Sequence, residues 1–410
     1  MRLLYFRRLW QKLFPPATVY LDYAAATPMW PAAIASMQPY LSIDYANPSA
    51  IHGPGLLARR AVEQARQQIA TRLGVQSTGV IFTSNGTESN NIFLQGIVEK
   101  HKQAGIAYPD MTILSTRLEH AATVATLEQL EQLGVKVVWL PVDSTGRVDQ
   151  IACKKALTEK VIALTIGYCN SEVGTIESVG ALGRLVRVAE KHWGTRIYLH
   201  IDAAQAPLWL PCQLARLKAD CAAFDAGKYG GPKGVGILVW QKHVAFAPIQ
   251  YGGGQERGLR PGTENVAGIV AAATALDIAQ CALALESRVA QVTAVRDYAL
   301  TALQQAFPEA LINGPAGEHR VANNVNISIP GLDTEYAIIS LAAQGIAAST
   351  KSACSSAGGS VSAVVQAMTG DSARAQSTLR FTLGPDISRR QIDRLISALQ
   401  AHVRIVRPVH

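Results

Sequence analysis

The sequence has few charged residues for its length and no long apolar run. Charged residues make up 17% of the 410 residues, whereas hydrophobic residues make up 49% and glycine occurs 33 times. This composition is typical of a globular α/β protein with many loops and excludes a disordered or fibrous chain. No uninterrupted apolar run reaches the roughly 18 residues of a membrane-spanning helix. The length predicts two domains, or one large domain with a smaller satellite.

Neither the cysteines nor the basic residues are clustered. The six cysteines form no CxxC pair and no group with histidine, so we expect neither a metal site nor a disulfide framework. A chain without disulfides suits a reducing, cytoplasmic location. The net charge of +8 includes no Lys/Arg run interleaved with aromatics, so we expect no direct contact with nucleic acid.

The N-terminus is a basic amphipathic segment. Residues 2–14, RLLYFRRLWQKLF, carry apolar side chains at helical spacing with arginine and lysine between them, and Pro15 and Pro16 follow. We assign residues 1–16 to an amphipathic helix that lies on a membrane surface, docks on a partner or packs on its own domain. The basic residues argue against a signal peptide, whereas a mitochondrial presequence stays open on composition.

Short apolar runs alternate with helical patterns through the middle of the chain. This alternation predicts an α/β fold with a seven-stranded, mostly parallel sheet. We assign residues 30–275 to this large domain, residues 276–410 to a smaller α+β domain, and residues 17–29 to a segment that joins the small domain. The predicted strands of the large domain are 80–83, 112–115, 136–140, 161–166, 197–201, 221–224 and 235–240.

Helices and strands are also predicted around and beyond that sheet. A helix is expected over 56–73, and one long alanine-rich helix over about 269–306 leads into the small domain. Residues 324–329 and 379–383 have the composition of strands. Ser388 and Gln391 form a capping box that begins the last helix.

Polar residues follow most of the strands of the predicted large sheet. In a mostly parallel sheet such residues meet at one edge, where ligands bind. The sequence therefore predicts one site that combines a glycine turn into a helix, an imidazole, an amide, a carboxylate and a lysine. In chain order these groups are SNGTESNN at 84–91, LEH ending at His120, Tyr168-Cys169-Asn170, Asp202 to Gln205, and Asp225 with Lys228.

This set of residues suits pyridoxal phosphate (PLP). Lys228, in CAAFDAGKYGGPKGVG, could form a Schiff base with an aldehyde, and Asp202 could keep the ring nitrogen protonated. Gly86 and Thr87 could hold the phosphate at a helix N-terminus. His120 could cover the ring. Taken singly, each residue also has an ordinary structural explanation, such as a helix cap or a core histidine, so the prediction rests on their combination.

A second candidate region lies in the predicted small domain. Cys354 sits near the centre of STKSACSSAGGSVS, residues 349–362, a loop of small residues on which a thiol could reach into a cleft. Lys351 could favour the thiolate. Arg380, in TLRFTLG, could grip a carboxylate through two hydrogen bonds or could form a surface ion pair.

The sequence resembles the cysteine desulfurases, which are PLP enzymes of the class V aminotransferase superfamily. This superfamily has the PLP-dependent transferase fold of type I. The resemblance covers roughly residues 19–400, and the glycine- and serine-rich loop around Cys354 is similar to the NifS/IscS-like, long-loop class. The segments that carry it are LDYAAATP, NPSA, FTSNGTESNN, LEHAAT, CNSEVGT, HIDAAQ, KYGGPKGVG, GGGQERGLRPGT, SACSSAG and LRFTLG.

The resemblance implies roles for the cofactor-binding residues. Lys228 would carry the cofactor as a Schiff base, and Asp202 would pair with the pyridine nitrogen. Gln205 and Asn170 would hydrogen-bond near the ring hydroxyl, while His120 would stack on the ring and shuttle protons. Two further contacts would hold the phosphate: Gly86 with Thr87 from the same chain, and Thr263 from a second subunit, which implies a homodimer.

The resemblance also implies a substrate and a product. Arg380 and Asn47 would bind the carboxylate of L-cysteine, and Cys354 would take its sulfur as a persulfide, leaving L-alanine. Such enzymes supply sulfur for iron–sulfur cluster assembly or tRNA thiolation, which implies an acceptor or scaffold protein. Cys354 could also serve as a transient iron–sulfur ligand.

The sequence departs from the family pattern beside the lysine. The family has Ser-x-His-Lys, with serine and histidine on the phosphate, whereas this chain has Asp225 and Gly227 in those places. Lys351 also replaces a small residue. Two alternatives therefore stay open: a selenocysteine lyase or other class V aminotransferase, and a non-catalytic scaffold for sulfur-assembly partners.

Overall fold

The structure is a computed structural model that describes residues 19–350 and 361–406. The predicted N-terminal helix over 1–16 lies outside these residues. The described strands are β1 (Val19–Tyr20), β2 (Val80–Thr83), β3 (Thr112–Ser115), β4 (Lys136–Trp139), β5 (Val161–Gly167), β6 (Tyr198–Asp202), β7 (Cys221–Asp225), β8 (Gly236–Trp240), β9 (Leu311–Ile312), β10 (Asn324–Ser328), β11 (Ile346–Ala347) and β12 (Thr378–Thr382).

Helices separate most of these strands along the chain. The described α-helices are α1 (Pro31–Met37), α2 (Pro39–Ser42), α3 (Gly53–Leu73), α4 (Gly86–Gln103), α5 (Ala121–Gln132), α6 (Gln150–Ala156), α7 (Val179–Trp193), α8 (Leu214–Leu217), α9 (Val266–Ala279), α10 (Ala282–Ala306), α11 (Thr334–Ala343), α12 (Ala363–Thr369), α13 (Ser372–Gln376) and α14 (Arg389–Val406).

The large sheet confirms the predicted α/β architecture. Its seven strands lie in the order β2-β8-β7-β6-β5-β3-β4. Strand β8 is antiparallel to both of its neighbours, and the other pairs are parallel. The central strands are buried along most of their length, as expected for a sheet covered by helices on both faces. The carboxyl ends of the six strands other than β8 therefore meet at one edge.

One predicted element is wrong in the structure. The single long helix expected over 269–306 is two helices, α9 and α10, that meet at a bend of 68°. Gln280 at the break donates from Nε2 to the carbonyls of Pro207 and Leu210 and accepts from the backbone amide of Cys212. These tertiary hydrogen bonds hold the break in place although the local sequence favours a continuous helix.

The remaining strands form two smaller sheets. Strands β12, β10 and β9 form an antiparallel sheet, and β1 pairs in parallel with β11. The first described residues, Val19 and Tyr20, are thus joined to strand residues 346–347 far along the chain. The boundary drawn between residues 275 and 276 stays a prediction.

A buried ion pair fixes the loop 252–263, which we call the anchor loop. Both terminal nitrogens of Arg66 donate to the carboxylate of Glu256, each at 2.8 Å, and that carboxylate also accepts from the backbone amide of Phe82. Glu256 itself has a left-handed backbone, with φ of 46°. The pair therefore ties the anchor loop to α3 and β2.

Length and apolar composition decide whether one of the described helices could cross a membrane. No single one is both long and apolar enough, and only the bent pair formed by α9 and α10 meets the length and composition criteria jointly.

Candidate active site

A cavity of about 570 Å³ opens at the carboxyl ends of the parallel strands. Nine residues singled out from the sequence contribute to its wall. Eight of them follow strands of the large sheet, which confirms the expectation that these strand ends converge; the ninth, Arg380, comes from β12 of a smaller sheet. The nine residues are Gly86, Thr87, His120, Asn170, Asp202, Gln205, Asp225, Lys228 and Arg380.

Lys228 lies at the end of a short 3₁₀ turn that follows β7. Its Nζ donates hydrogen bonds to the backbone carbonyls of Ala24, at 3.0 Å, and Ala25, at 2.5 Å. The glycine turn beyond it packs closely: Gly230 has φ of +83°, and a Cβ there would lie 2.1 Å from Nε1 of Trp30. The N-terminal segment that includes LDYAAATP therefore holds the lysine in place.

Asp202, at the end of β6, has a fixed carboxylate. One oxygen accepts from Nδ2 of Asn90 at 2.7 Å, and the other accepts from the backbone amide of Ala204 at 3.0 Å. Gln205 donates from Nε2 to the carbonyl of Ala24 at 2.9 Å. Because Ala24 also binds Lys228, the lysine and the glutamine share one backbone carbonyl.

His120 and Asn170 line the cavity, and both side chains also organise their own backbone. His120 is the N-cap of α5, and its Nδ1 accepts from the amide of Ala122 at 3.2 Å. The imidazole is exposed and leaves Nε2 available. Asn170 donates to the carbonyl of Leu118 at 3.0 Å and accepts from the amides of residues 172 and 173.

Glu119 is a functional candidate that sequence reasoning missed. Its carboxyl accepts hydrogen bonds from the Thr116 hydroxyl at 2.8 Å and from the Gly167 amide at 2.6 Å. Burial, reinforced by the nearby carboxylates of Asp202 and Glu177, raises its pKa to about 8. The carboxyl of Glu119 therefore holds a proton at neutral pH. It lies near Asp202, which we assign to the ring nitrogen of the cofactor.

The N-terminus of α4 forms the anion cradle, by which we mean the backbone amides that begin at Gly86. Asn85 caps the helix by accepting from the amide of Glu88 at 2.9 Å. The amide of Gly86 donates to the carboxylate of Asp225 at 3.3 Å, and the amide of Gly227 donates to the other oxygen of that carboxylate at 3.0 Å. A side chain of the protein thus already occupies part of the cradle.

Arg380 reaches the cavity from β12 and is almost fully buried. Its Nη2 donates to Asp22 at 2.9 Å and its Nη1 to the carbonyl of Ser171 at 3.3 Å, while Nε has no hydrogen-bond partner within the described residues. Burial raises the pKa of Asp22 even though the Arg380 guanidinium lowers it. The guanidinium is thus oriented by one carboxylate, and its Nε–H is left for a further acceptor.

Three predicted site residues do not contribute to the described cavity wall. Two of them are exposed elsewhere, and the third lies outside the described residues. Asn47 is exposed, and its side chain accepts from the amide of Ser49 at 2.9 Å. Thr263 is exposed on the anchor loop. Cys354 and its neighbour Lys351 lie outside the described residues.

The residues present fit a pyridine aldehyde. A lysine amine, a carboxylate held by two donors, an amide and an imidazole converge on one cavity, and this donor set can bind an aldehyde, a ring nitrogen and the faces of a ring. At the phosphate end the cradle amides are present, but the carboxylate of Asp225 engages them.

The positioning residues that sequence reasoning missed had weak local signals. Asn90 lies one turn into the helix that follows the glycine turn, and Glu119 stands directly before His120. Asp22 lies within LDYAAATP, which the sequence marked as a motif without indicating its partner. In each case the missing information was the distant residue that the fold brings into contact.

Comparisons with known proteins show the family to which the chain belongs. The family model "Aminotransferase class-V" matches residues 19–395. A "Cysteine desulfurase IscS" of Dictyoglomus turgidum is 35% identical over 391 residues, which cover 95% of this chain and 96% of that protein. A solved "NifS-like protein" has a TM-score of 0.86 and 32% identity, covering 94% of this chain and 99% of the other. A structure titled "SspA in complex with cysteine" has a TM-score of 0.75 and 26% identity, covering 90% and 99%.

Fold and site together define a PLP-dependent enzyme of the class V aminotransferase type. Within that class, the sequence similarity to cysteine desulfurases extends over almost the whole chain. The chain belongs to the IscS-like cysteine desulfurases of the class V aminotransferase family. This membership favours desulfuration over the two alternative functions that the sequence left open.

Proposed function

We propose that this protein converts L-cysteine to L-alanine with PLP and passes the sulfur to its own Cys354. The observation that carries the proposal is the meeting of Lys228 and Asp202 in one cavity with a guanidinium, Arg380, in its wall. When bound, PLP supplies an electron sink for negative charge that develops on the substrate Cα.

Lys228 would bind the aldehyde carbon of the cofactor through Nζ. Its present acceptors, the carbonyls of Ala24 and Ala25, orient the amine at the mouth of the cavity. The amine of Lys228 would also take and return the proton at the substrate Cα. His120, whose Nε2 is available, would stack on the ring and move a second proton.

Asp202 would hold the proton on the ring nitrogen. Two hydrogen bonds, from Asn90 and from the Ala204 amide, hold its carboxylate in place for this role. Gln205 and Asn170 would approach the ring hydroxyl. Gly86 and Thr87 would hold the phosphate.

Arg380 would bind the substrate carboxylate, with Asn47 as a second contact. A buried guanidinium that is already oriented loses little freedom when it binds a second carboxylate. The unused Nε supports this role because a buried donor without a partner favours an added acceptor.

Cys354 would take the sulfur as its thiolate. The thiolate attacks the substrate sulfur, a sulfur–sulfur bond forms, and the Cβ–S bond breaks with its electron pair left on carbon. A proton delivered to that carbon completes alanine, and the persulfide stays on Cys354. A sulfur acceptor for iron–sulfur cluster assembly or tRNA thiolation would then collect it, with Cys354 as a transient ligand where a cluster forms.

A homodimer is the second part of the proposal. Large apolar side chains are exposed along residues 41–57, with Ile43 and Tyr45 each 77% exposed and Ile51 89% exposed. Such a concentration is typical of a protein interface. Thr263, also exposed, would complete the partner's phosphate site from the anchor loop. We place this dimer in the cytoplasm, where residues 2–14 could contact a membrane or a partner.

Two variants test the enzyme proposal. Lys228→Ala should remove the visible absorbance that the cofactor gains when it is bound to the lysine, because no other amine lines the described part of the cavity wall; Lys242→Ala, at an exposed lysine outside that wall, serves as the matched control. An unchanged band in Lys228→Ala would contradict the assignment.

Cys354→Ser tests the sulfur transfer separately. We expect this variant to keep the cofactor colour and to form no protein persulfide when cysteine is added, as measured by mass spectrometry. Cys281→Ser, which alters an exposed cysteine outside the cavity, is the control. Persulfide formation at the normal level in Cys354→Ser would show that another residue receives the sulfur.

A further inference from the structure

Asp225 lies where the proposed site needs a phosphate. Its Oδ2 accepts from the amide of Gly86, the first residue of α4, and its Oδ1 accepts from the amide of Gly227. The N-terminus of a helix attracts an anion through its free amides and its dipole. In this chain the anion at that position is a side chain of the protein itself.

Nothing in the described part of the chain neutralises this carboxylate. Lys228, three residues away, directs its amine to the carbonyls of Ala24 and Ala25, and Asp225 forms no ion pair with any described residue. A phosphate in the cradle would therefore have to displace the carboxylate from both amides and would still lie near its negative charge.

Gly227, two residues after Asp225, has no side chain that could offset the repulsion between Asp225 and a phosphate. A Cβ on Gly227 would lie 3.2 Å from Oδ1 of Asp225 and 3.4 Å from Cγ of Lys233. The stem of Lys233 thus covers the face of Gly227 from which a side chain would start. A side chain at residue 227 would begin in tight contact with the carboxylate of Asp225, so Asp225 and Gly227 form one adapted pair.

We propose that Asp225 is a built-in competitor of the cofactor's phosphate. It occupies the phosphate position while the cofactor is absent and lowers the affinity for PLP through the phosphate alone, without affecting the lysine or the ring contacts. Loading of the enzyme then depends on the supply of PLP. This inference rests on the proposed function, because it requires a phosphorylated aldehyde at Lys228.

The test compares two aldehydes that differ only in the phosphate. The cofactor-free protein is titrated with PLP and with pyridoxal, and the Lys228-dependent visible band gives each dissociation constant. Asp225→Asn removes the charge and keeps the shape, whereas Asp225→Ser also frees the amides. Asp149→Asn is the matched control, because Asp149 likewise accepts from backbone amides at a helix start but does not line the cavity.

We expect both Asp225 variants to bind PLP about 10- to 100-fold more tightly than the parent chain. Their affinity for pyridoxal should stay within about two-fold of the parent value, because pyridoxal has no phosphate to be repelled. As a readout that does not use Lys228, inorganic phosphate should raise the melting temperature of cofactor-free Asp225→Ser more than that of the parent chain.

Any of four results would overturn the inference. PLP affinity that is unchanged in both variants would show that Asp225 does not compete, and weaker PLP binding would show that it helps to hold the phosphate. An equal gain for pyridoxal would place the effect at the ring or the lysine. Absence of any Lys228-dependent band in parent and variants would instead contradict the proposed function, and the inference with it.

Discussion

We predict that the carboxyl of Glu119 makes the free energy of unfolding depend on pH. Its pKa is raised from 4.5 to about 8 in the folded chain. Between these two values the folded protein holds a proton that the unfolded chain releases, so the free energy of unfolding falls as pH rises. At about 1.4 kcal/mol for each pKa unit, the full interval corresponds to about 5 kcal/mol.

Glu119→Gln removes this dependence and keeps the shape of the side chain. The amide oxygen can still accept from the Gly167 amide, and the amide nitrogen can donate to the Thr116 hydroxyl. Relative to the parent chain, the variant should therefore gain stability as pH rises from about 5 to 8, by an amount that reaches about 2–5 kcal/mol.

Urea unfolding of the cofactor-free protein at several pH values measures this difference. Glu131→Gln, which removes an exposed carboxylate from α5, is the control and should show no comparable gain with pH. A stability difference between Glu119→Gln and the parent chain that is the same at every pH would refute the assignment of a proton to Glu119.

Two further predictions concern the elements that position the site. Gly230→Ala should destabilise the protein by about 2–4 kcal/mol in urea unfolding, because its Cβ would overlap the Trp30 indole; Gly234→Ala, with the same φ of +83° and open space around it, should cost only about 1 kcal/mol. Equal losses would mean that backbone strain alone decides the effect. Glu256→Gln breaks the buried ion pair of the anchor loop and should cost about 3–5 kcal/mol, against less than about 1 kcal/mol for Asp277→Asn in a half-exposed pair. Similar losses of stability for the two variants in thermal or urea unfolding would refute the claim that burial makes the Arg66–Glu256 pair the more important one.

Much of the architecture could be predicted because it depends on local patterns. Runs such as residues 80–83 and 112–115 combine apolar, β-branched side chains, and both became strands with those bounds. Residues that follow the strands of the large sheet were expected to converge, and the cavity wall contains eight of those singled out. Half of the capping box predicted at Ser388 and Gln391 is also present, because the Gln391 side chain accepts from the backbone amide of Ser388.

The rest depended on contacts between distant residues. The break between α9 and α10 follows from hydrogen bonds of Gln280 to a loop about 70 residues earlier. The pairing of Arg380 with Asp22 spans almost the whole described chain. The hydrogen bond between Asp225 and the anion cradle could not be predicted either, because it depends on the order of the strands in the sheet. The sequence had marked Asp225 only as a departure from the family pattern.

The visible spectrum of the purified protein with saturating PLP, recorded before and after L-cysteine is added, tests the central claim most directly. The proposed chemistry predicts an absorption band that requires Lys228, changes when cysteine is added, and is accompanied by formation of alanine. A protein that stays colourless at saturating PLP, or a band that does not respond to cysteine, would contradict the assignment of this site to cysteine desulfuration.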